Sequence, residues 1–143
     1  MPFKAISVAK ALVINSKNEV LLLRIGEYKG YPEKSYTPDL PGGLVDPGES
    51  SHSAVARELF EETGITLEAS LFEIVYAQTE QHKESGESIT KSLFIVHCEE
   101  SEVTLSWEHD QYRWISVAEL LETEFRPFYR TAIQYVYNLK FIS

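Results

Sequence analysis

Three glutamates, Glu58, Glu61 and Glu62, stand at positions i, i+3 and i+4 of the run Arg57-Glu58-Leu59-Phe60-Glu61-Glu62. At about 100° per residue, a helix gathers these carboxylates on one side. Val55, Ala56, Leu59 and Phe60 are expected on the other. With no lysine on the acidic face, the carboxylates repel one another unless a cation neutralises them. Hard divalent ions take oxygen ligands, so the cluster predicts a site for Mg²⁺ or Mn²⁺. The backbone carbonyl of Gly43 is a candidate to complete the coordination. Glu49 precedes the helix and either joins the ligands or stabilises the helix N-terminus. Arg57, four residues before Glu61, can pin the carboxylates or the preceding loop through charge-assisted hydrogen bonds. A metal that shares its ligands with substrate phosphates supports attack of water on phosphorus. A Glu-rich run is ordinarily just a solvated helix face; the glycines, Arg57 and Glu49 around it argue for a site.

The rest of the chain must hold that helix. Lys4 to Asn15 reads as a buried strand, Ser16 to Glu19 as a polar turn, and Val20 to Ile25 as the antiparallel partner strand. Gly26 to Asp39 loses all periodicity and reads either as a mobile surface loop or as a loop that works on substrate. Leu40-Pro41-Gly42-Gly43 and Asp46-Pro47-Gly48 turn the chain into the helix, which Ser50 or Ser51 caps and Gly64 closes. Leu71 to Thr79 and Ser88 to His97 read as strands joined by a hairpin over Glu80 to Glu87, and Tyr112 to Ile115 as a short aromatic strand. Ser116-Val117-Ala118-Glu119 opens a short helix as a capping box. Pro127 to Lys140 reads as a last helix that packs Phe128, Ala132, Tyr135, Val136 and Leu139 into the core. The aromatic residues Tyr129, Tyr135, Tyr137 and Phe141 either cover the sheet or offer a homodimer surface, and core packing is favoured. This order predicts an α+β or mixed α/β sandwich.

The chain has 143 residues, 43% of them hydrophobic, which suits one domain over residues 1–143 with a real core. A net charge of −9 argues against binding nucleic-acid phosphates or anionic lipid. It leaves a nucleotide substrate open, because a divalent ion inverts the local charge of an acidic pocket. Cys98 is the one cysteine, so no internal disulfide is expected. MPFKAISVAK lacks the apolar stretch of a signal peptide and no segment reaches membrane-spanning length, so a cytoplasmic location is expected.

Gly43, Glu49, Arg57-Glu58, Leu59, Glu61-Glu62 and Gly64-Ile65 match the Nudix box at its defined positions, and the chain resembles the Nudix hydrolase family. Leu40-Pro41-Gly42-Gly43 is similar to the segment that leads into the box. Trp114-Ile115 with Ala118-Glu119-Leu120 is similar to the family's C-terminal portion. The resemblance implies a mixed β-sheet sandwiched between α-helices, a required Mg²⁺ or Mn²⁺, and hydrolysis of a nucleoside diphosphate linked to another moiety. Carried over by position, Glu58, Glu61 and Glu62 are the metal ligands, with Glu62 or Glu61 also placed to activate water. Arg57 is the orienting arginine.

Substrate contacts are nominated outside the box. Arg24, at a strand end, and Tyr31, in the Gly26 to Asp39 loop, suit a phosphate and an aromatic ring; for Arg24 a solvated strand end is the slightly favoured reading. In some family members an acidic residue before the final strand joins the metal site, a place held here by Glu108 and, less well, by Asp110. His82 in the hairpin is a candidate phosphate contact, and His109 a weaker candidate base. An ADP-ribose type would carry a proline near Gln81, and a diadenosine-polyphosphate type a tyrosine near His82. Without these markers the chain resembles the small MutT-like group. The leading expectation is therefore hydrolysis of a (d)NTP to monophosphate and pyrophosphate. Alternatives are a dinucleotide or nucleotide-sugar hydrolase, or a non-catalytic nucleotide-sensing module.

Overall fold

The computed structural model describes residues 4–99 and 102–143. Residues 1–3, at the N-terminus, and 100–101, within the acidic stretch after Cys98, lie outside the described residues. The strand β1 (Ala5–Ile14) forms the spine of a seven-stranded mixed sheet. Both of its faces are covered, which explains its nearly unbroken apolar run. Ala9, Ala11 and Val13 face one helical layer, while Leu12 and Ile14 face the other.

The strand β2 (Val20–Ile25) follows a turn in which the Asn15 side chain accepts the backbone N–H groups of Lys17 and Glu19, at 3.0 and 2.9 Å. The expected hairpin closes only at its tip, where Ile14 meets Val20. Beyond it the strands diverge. The strand β1 takes β6 (Ser88–His97) as a parallel neighbour along its whole length, and β2 pairs antiparallel with β7 (His109–Ile115). Two short strands, β3 (Pro38–Asp39) and β4 (Gly42–Leu44), cross the resulting gap, β3 against β2 and β4 against β1. The glycine turn thus bridges two diverging strands. The long loop before it holds a single 3₁₀ turn at Pro32–Lys34.

The helix α1 (Ser51–Thr63) starts at Ser50, whose hydroxyl accepts the Ser53 N–H at 3.0 Å, and ends at Gly64. Its phase differs from expectation. Val55, Leu59 and Glu62 form the buried stripe, whereas Phe60 is 55% exposed. Positions i, i+4 and i+7 share one helix face, so Glu62 continues the Val55–Leu59 row and turns away from Glu61. The strand β5 (Glu73–Gln81) starts two residues later than expected because residues 69–71 form a 3₁₀ turn, and it pairs antiparallel with β6.

The helices α2 (Val117–Glu122) and α3 (Pro127–Asn138) cover the other face of the sheet. Phe128, Tyr129, Ala132, Ile133 and Val136 are the buried stripe of α3. Tyr135, Tyr137, Leu139 and Phe141 are exposed, which corrects their expected core role: a single sheet face covers one stripe of a helix, and these positions lie beyond it. Among the described residues, no helix is long and apolar enough to cross a membrane.

Candidate active site

The glycine turn places α1 against the sheet. Gly42 has φ +134°, and a Cβ there would lie 2.0 Å from the Ala9 carbonyl oxygen, so only glycine fits beside β1. A Cβ on Gly43 would lie 2.7 Å from the carboxyl carbon of Glu58, so the missing side chain is what admits that carboxylate. One turn further along the helix, Glu62 accepts the Gly42 N–H at 2.8 Å and is 2% exposed. Burial pushes its pKa up to about 7, against the pull of the Lys10 charge and the Gly42 N–H. Burial also raises Glu58, with Arg57 opposing and the charges of Glu61 and Glu108 adding.

Arg57 gathers the remaining acids. It donates to both oxygens of Glu49 at 2.8 and 2.9 Å, to Glu58 at 3.1 Å, to Glu61 at 3.2 Å and to the Leu44 carbonyl at 3.2 Å. Hydrogen bonds from Arg57 and then from the Asp46 N–H pull Glu49 down to about 2. Glu49 is thereby committed to Arg57 and to the turn. Glu61 is half-exposed on the same arginine.

Glu58, Glu62, Gly43, Glu108 and His82 line one cleft of about 780 Å³. Lys34, Lys91 and Arg126 line it too, with the aromatic rings of Tyr28, Trp107, Phe128 and Tyr129. Among the described residues, no three His, Cys, Asp or Glu side chains are closed around one point as a ready cation cage. The donor chemistry nevertheless fits a hard divalent ion. Glu58 and Glu62 offer carboxylate oxygens beside the Gly42-Gly43 backbone, and burial disfavours their charge unless a cation compensates it.

Two nominated substrate contacts lie away from this cleft. Arg24 donates to both oxygens of Asp110 at 2.8 and 2.7 Å, stacks 5.2 Å from the Tyr36 ring centroid and lines a separate cavity of about 190 Å³. Tyr31 is 55% exposed beside Tyr28 and Lys34 and is not a lining residue. The divergence of β1 and β2 puts the cleft over β1, β4 and α3, whereas Arg24 sits in the β2–β7 pair.

The floor of the cleft was missed from sequence. Buried Asp39 accepts Tyr129 Oη at 2.5 Å, His109 Nε2 at 2.8 Å, Arg126 at 3.2 Å and Lys10 Nζ at 3.3 Å. Burial alone would raise Asp39; the Lys10 charge and the bonds from His109 and Tyr129 instead hold it below the usual carboxylate range. Tyr129 is raised by burial and by the Asp39 charge. One signal was available: Lys10 is the only charged residue in the mostly apolar run Ala5–Ile14.

A glycine turn under an Arg-Glu helix, on a mixed sheet between helical layers, is the arrangement of the NUDIX domain, whose family model matches residues 4–136. The chain belongs to the Nudix family. Nudix hydrolases generally use divalent metal ions. The chain is 31% identical to the 8-oxo-dGTP diphosphatase of Escherichia coli (strain K12) over 128 residues, 87% of this chain and 90% of that protein. It is 38% identical over 78 residues to a Bacillus subtilis (strain 168) protein provisionally named an 8-oxo-dGTP diphosphatase. That match spans 52% of this chain and about half, 48%, of the relative's length. The crystal structure of a MutT protein from Methanosarcina mazei Go1 superposes with a TM-score of 0.78 at 32% identity, covering 98% of this chain and 99% of that one. The expected Nudix fold, a mixed sheet between helices, is therefore the fold of this chain.

Proposed function

We propose that this Nudix domain hydrolyses a (deoxy)nucleoside triphosphate to the monophosphate and pyrophosphate, with Mg²⁺ or Mn²⁺ as cofactor. The observation that carries this reading is the two-sided cleft. Carboxylates Glu58 and Glu62 line it with Gly43, and cations Lys34, Lys91 and Arg126 line it as well. A polyphosphate bridged to a divalent ion needs both kinds of group. The 8-oxo-dGTP diphosphatase relatives make 8-oxo-dGTP the first triphosphate to assay.

Glu58 and Glu62, with Glu61 and the Gly43 carbonyl, would hold the divalent ion, and Glu49 with Arg57 would brace them. When bound, the ion neutralises phosphate oxygens and makes an adjacent water more acidic. Water then adds to a phosphorus of the α–β bridge, the bridging P–O bond breaks, and the leaving oxygen keeps the electron pair. Glu62, buried beside the glycine turn and held by the Gly42 N–H, would take the proton of that water. Glu61, half-exposed on Arg57, is the weaker candidate for that step. Glu108 and His82 line the cleft from the loop before β7 and from the β5–β6 hairpin, where Glu108 would approach the ion and His82 a phosphate.

Pure protein with Mg²⁺ and a panel of 8-oxo-dGTP, the common (d)NTPs, ADP-ribose and a diadenosine polyphosphate tests the reading. Release of monophosphate and pyrophosphate from a triphosphate is expected. Turnover confined to the dinucleotide or nucleotide-sugar would overturn the substrate class, and silence across the panel would overturn the enzymatic reading.

A further inference from the structure

Glu62 is held by one backbone N–H, that of Gly42, and the peptide carrying it is fixed from both sides. The Pro41–Gly42 peptide gives its carbonyl to the Ala11 N–H at 2.9 Å and its N–H to Glu62 at 2.8 Å. The carbonyls on either side of it, of Leu40 and Gly42, both accept from Lys10 Nζ at 3.1 Å. The third acceptor of Lys10 is Asp39. An ammonium has three N–H donors, and here all three are engaged, so none remains for a substrate phosphate although Lys10 lines the cleft. Lys10 is 14% and Asp39 6% exposed at the side chain, so water competes little for these bonds. Asp39 is in turn held by Tyr129 and Arg126 at the start of α3 and by His109 at the start of β7.

We propose that Lys10 and Asp39 are positioning residues for catalysis: a buried ammonium–carboxylate clip that sets the Gly42 peptide and, through its N–H, the carboxylate of Glu62. The proposal rests on the reading of Glu62 as a catalytic carboxylate. A Cβ on Gly42 would strike β1, so glycine holds the position and the clip sets the rotation of the peptides flanking it. Lysine suits the place because its compact head meets three converging acceptors, which the planar fork of arginine would not. The clip also ties the turn under Glu62 to the α3 side of the cleft.

Lys10→Met keeps the length of the side chain and removes the donors. Its test pairs kinetics on the best triphosphate with the Gly42 amide signal in a ¹H–¹⁵N NMR spectrum of the whole chain. The expected result is a fall in kcat of between about 10- and 100-fold, as for a misplaced reacting group, with KM little changed. The Gly42 amide proton should also move upfield, toward its position in Glu62→Gln, because its bond to a carboxylate is weakened. An unmoved Gly42 amide, an unchanged kcat, or a loss carried by KM would each overturn the proposal. Should Lys10→Met fail to fold, Asp39→Asn, which keeps the shape and removes the charge holding Lys10, is judged by the same two readouts. A wild-type protein that turns over none of the panel would sink the reading of Glu62. The Gly42 signal would still decide whether the clip sets that peptide.

Discussion

Two charge clusters flank the glycine turn, and they are near mirror images. At one, a single cation, Arg57, is ringed by Asp46, Glu49, Glu58 and Glu61. At the other, a single anion, Asp39, is ringed by Lys10, His109, Arg126 and Tyr129. They differ in burial. The Arg57 side chain is 30% exposed, Glu61 53% and Asp46 68%, so water and salt can replace those two partners. Asp39 is 4% exposed, so each partner it loses leaves a charge or donor stranded in the protein. On the proposed reading, the exposed Glu61 edge of the first cluster is free to turn toward a cation, whereas the second cluster stays still.

The sharpest way to break this comparison is Asp39→Ala. It strands Lys10 and leaves Arg126 and Tyr129 without their acceptor, and should cost about 3–5 kcal/mol in urea unfolding, nearly independent of salt. A cost under 1 kcal/mol would show that the buried hub is dispensable. For activity, Glu62→Gln should lose at least about tenfold in turnover while the fold persists. Glu61→Gln in parallel sharpens which carboxylate takes the proton, and unchanged turnover in both would refute the site.

The buried side also has a pH signature. Glu62 ionises near 7 in the folded chain and near 4.5 when unfolded, so between those values the folded state binds more protons. Stability should therefore fall as pH rises from about 4.5 to about 7, by up to about 3 kcal/mol in chelator. Thermal melts across that range should show the slope in wild type and a clearly smaller one in Glu62→Gln, where only the raised Glu58 remains. By the same linkage, Mg²⁺ affinity should rise with pH through 7, because binding displaces a proton.

On the exposed side the effects shrink. Arg57→Ala should cost about 1 kcal/mol in stability, and adding Mg²⁺ should narrow the difference because a divalent ion can take over part of its charge. Arg24→Ala should leave KM within about twofold, since its side chain is spent on Asp110 outside the cleft. A tenfold rise in KM would move the substrate toward the β2–β7 pair.

How far the sequence was legible follows the same division. A serine cap at Ser50 or Ser51, the end at Gly64, the strands at Val20–Ile25 and Ser88–His97 and the glycine turn were all readable, because each rests on residues close together in the chain. The carboxylates were readable as a group but not in their individual settings. Glu58, Glu61 and Glu62 read as one face, yet the sheet beneath α1 draws Glu62 inward with Leu59 and leaves Phe60 in water. Helical spacing gives relative angles only, and packing sets the phase. Arg24 was open to two readings because a basic strand end looks the same whether it meets a phosphate or Asp110, 86 residues away.

By itself, then, the sequence determined the Nudix family, the layered fold and the acidic helix beside two glycines, since these reside in spacing and local backbone chemistry. Only the tertiary structure decided which glutamate is buried and where the cleft opens. It also gathered the partners of Asp39, which come from positions 10, 109, 126 and 129. Partners that far apart leave no local pattern, and they meet only because β1 and β2 diverge and α3 closes over the gap.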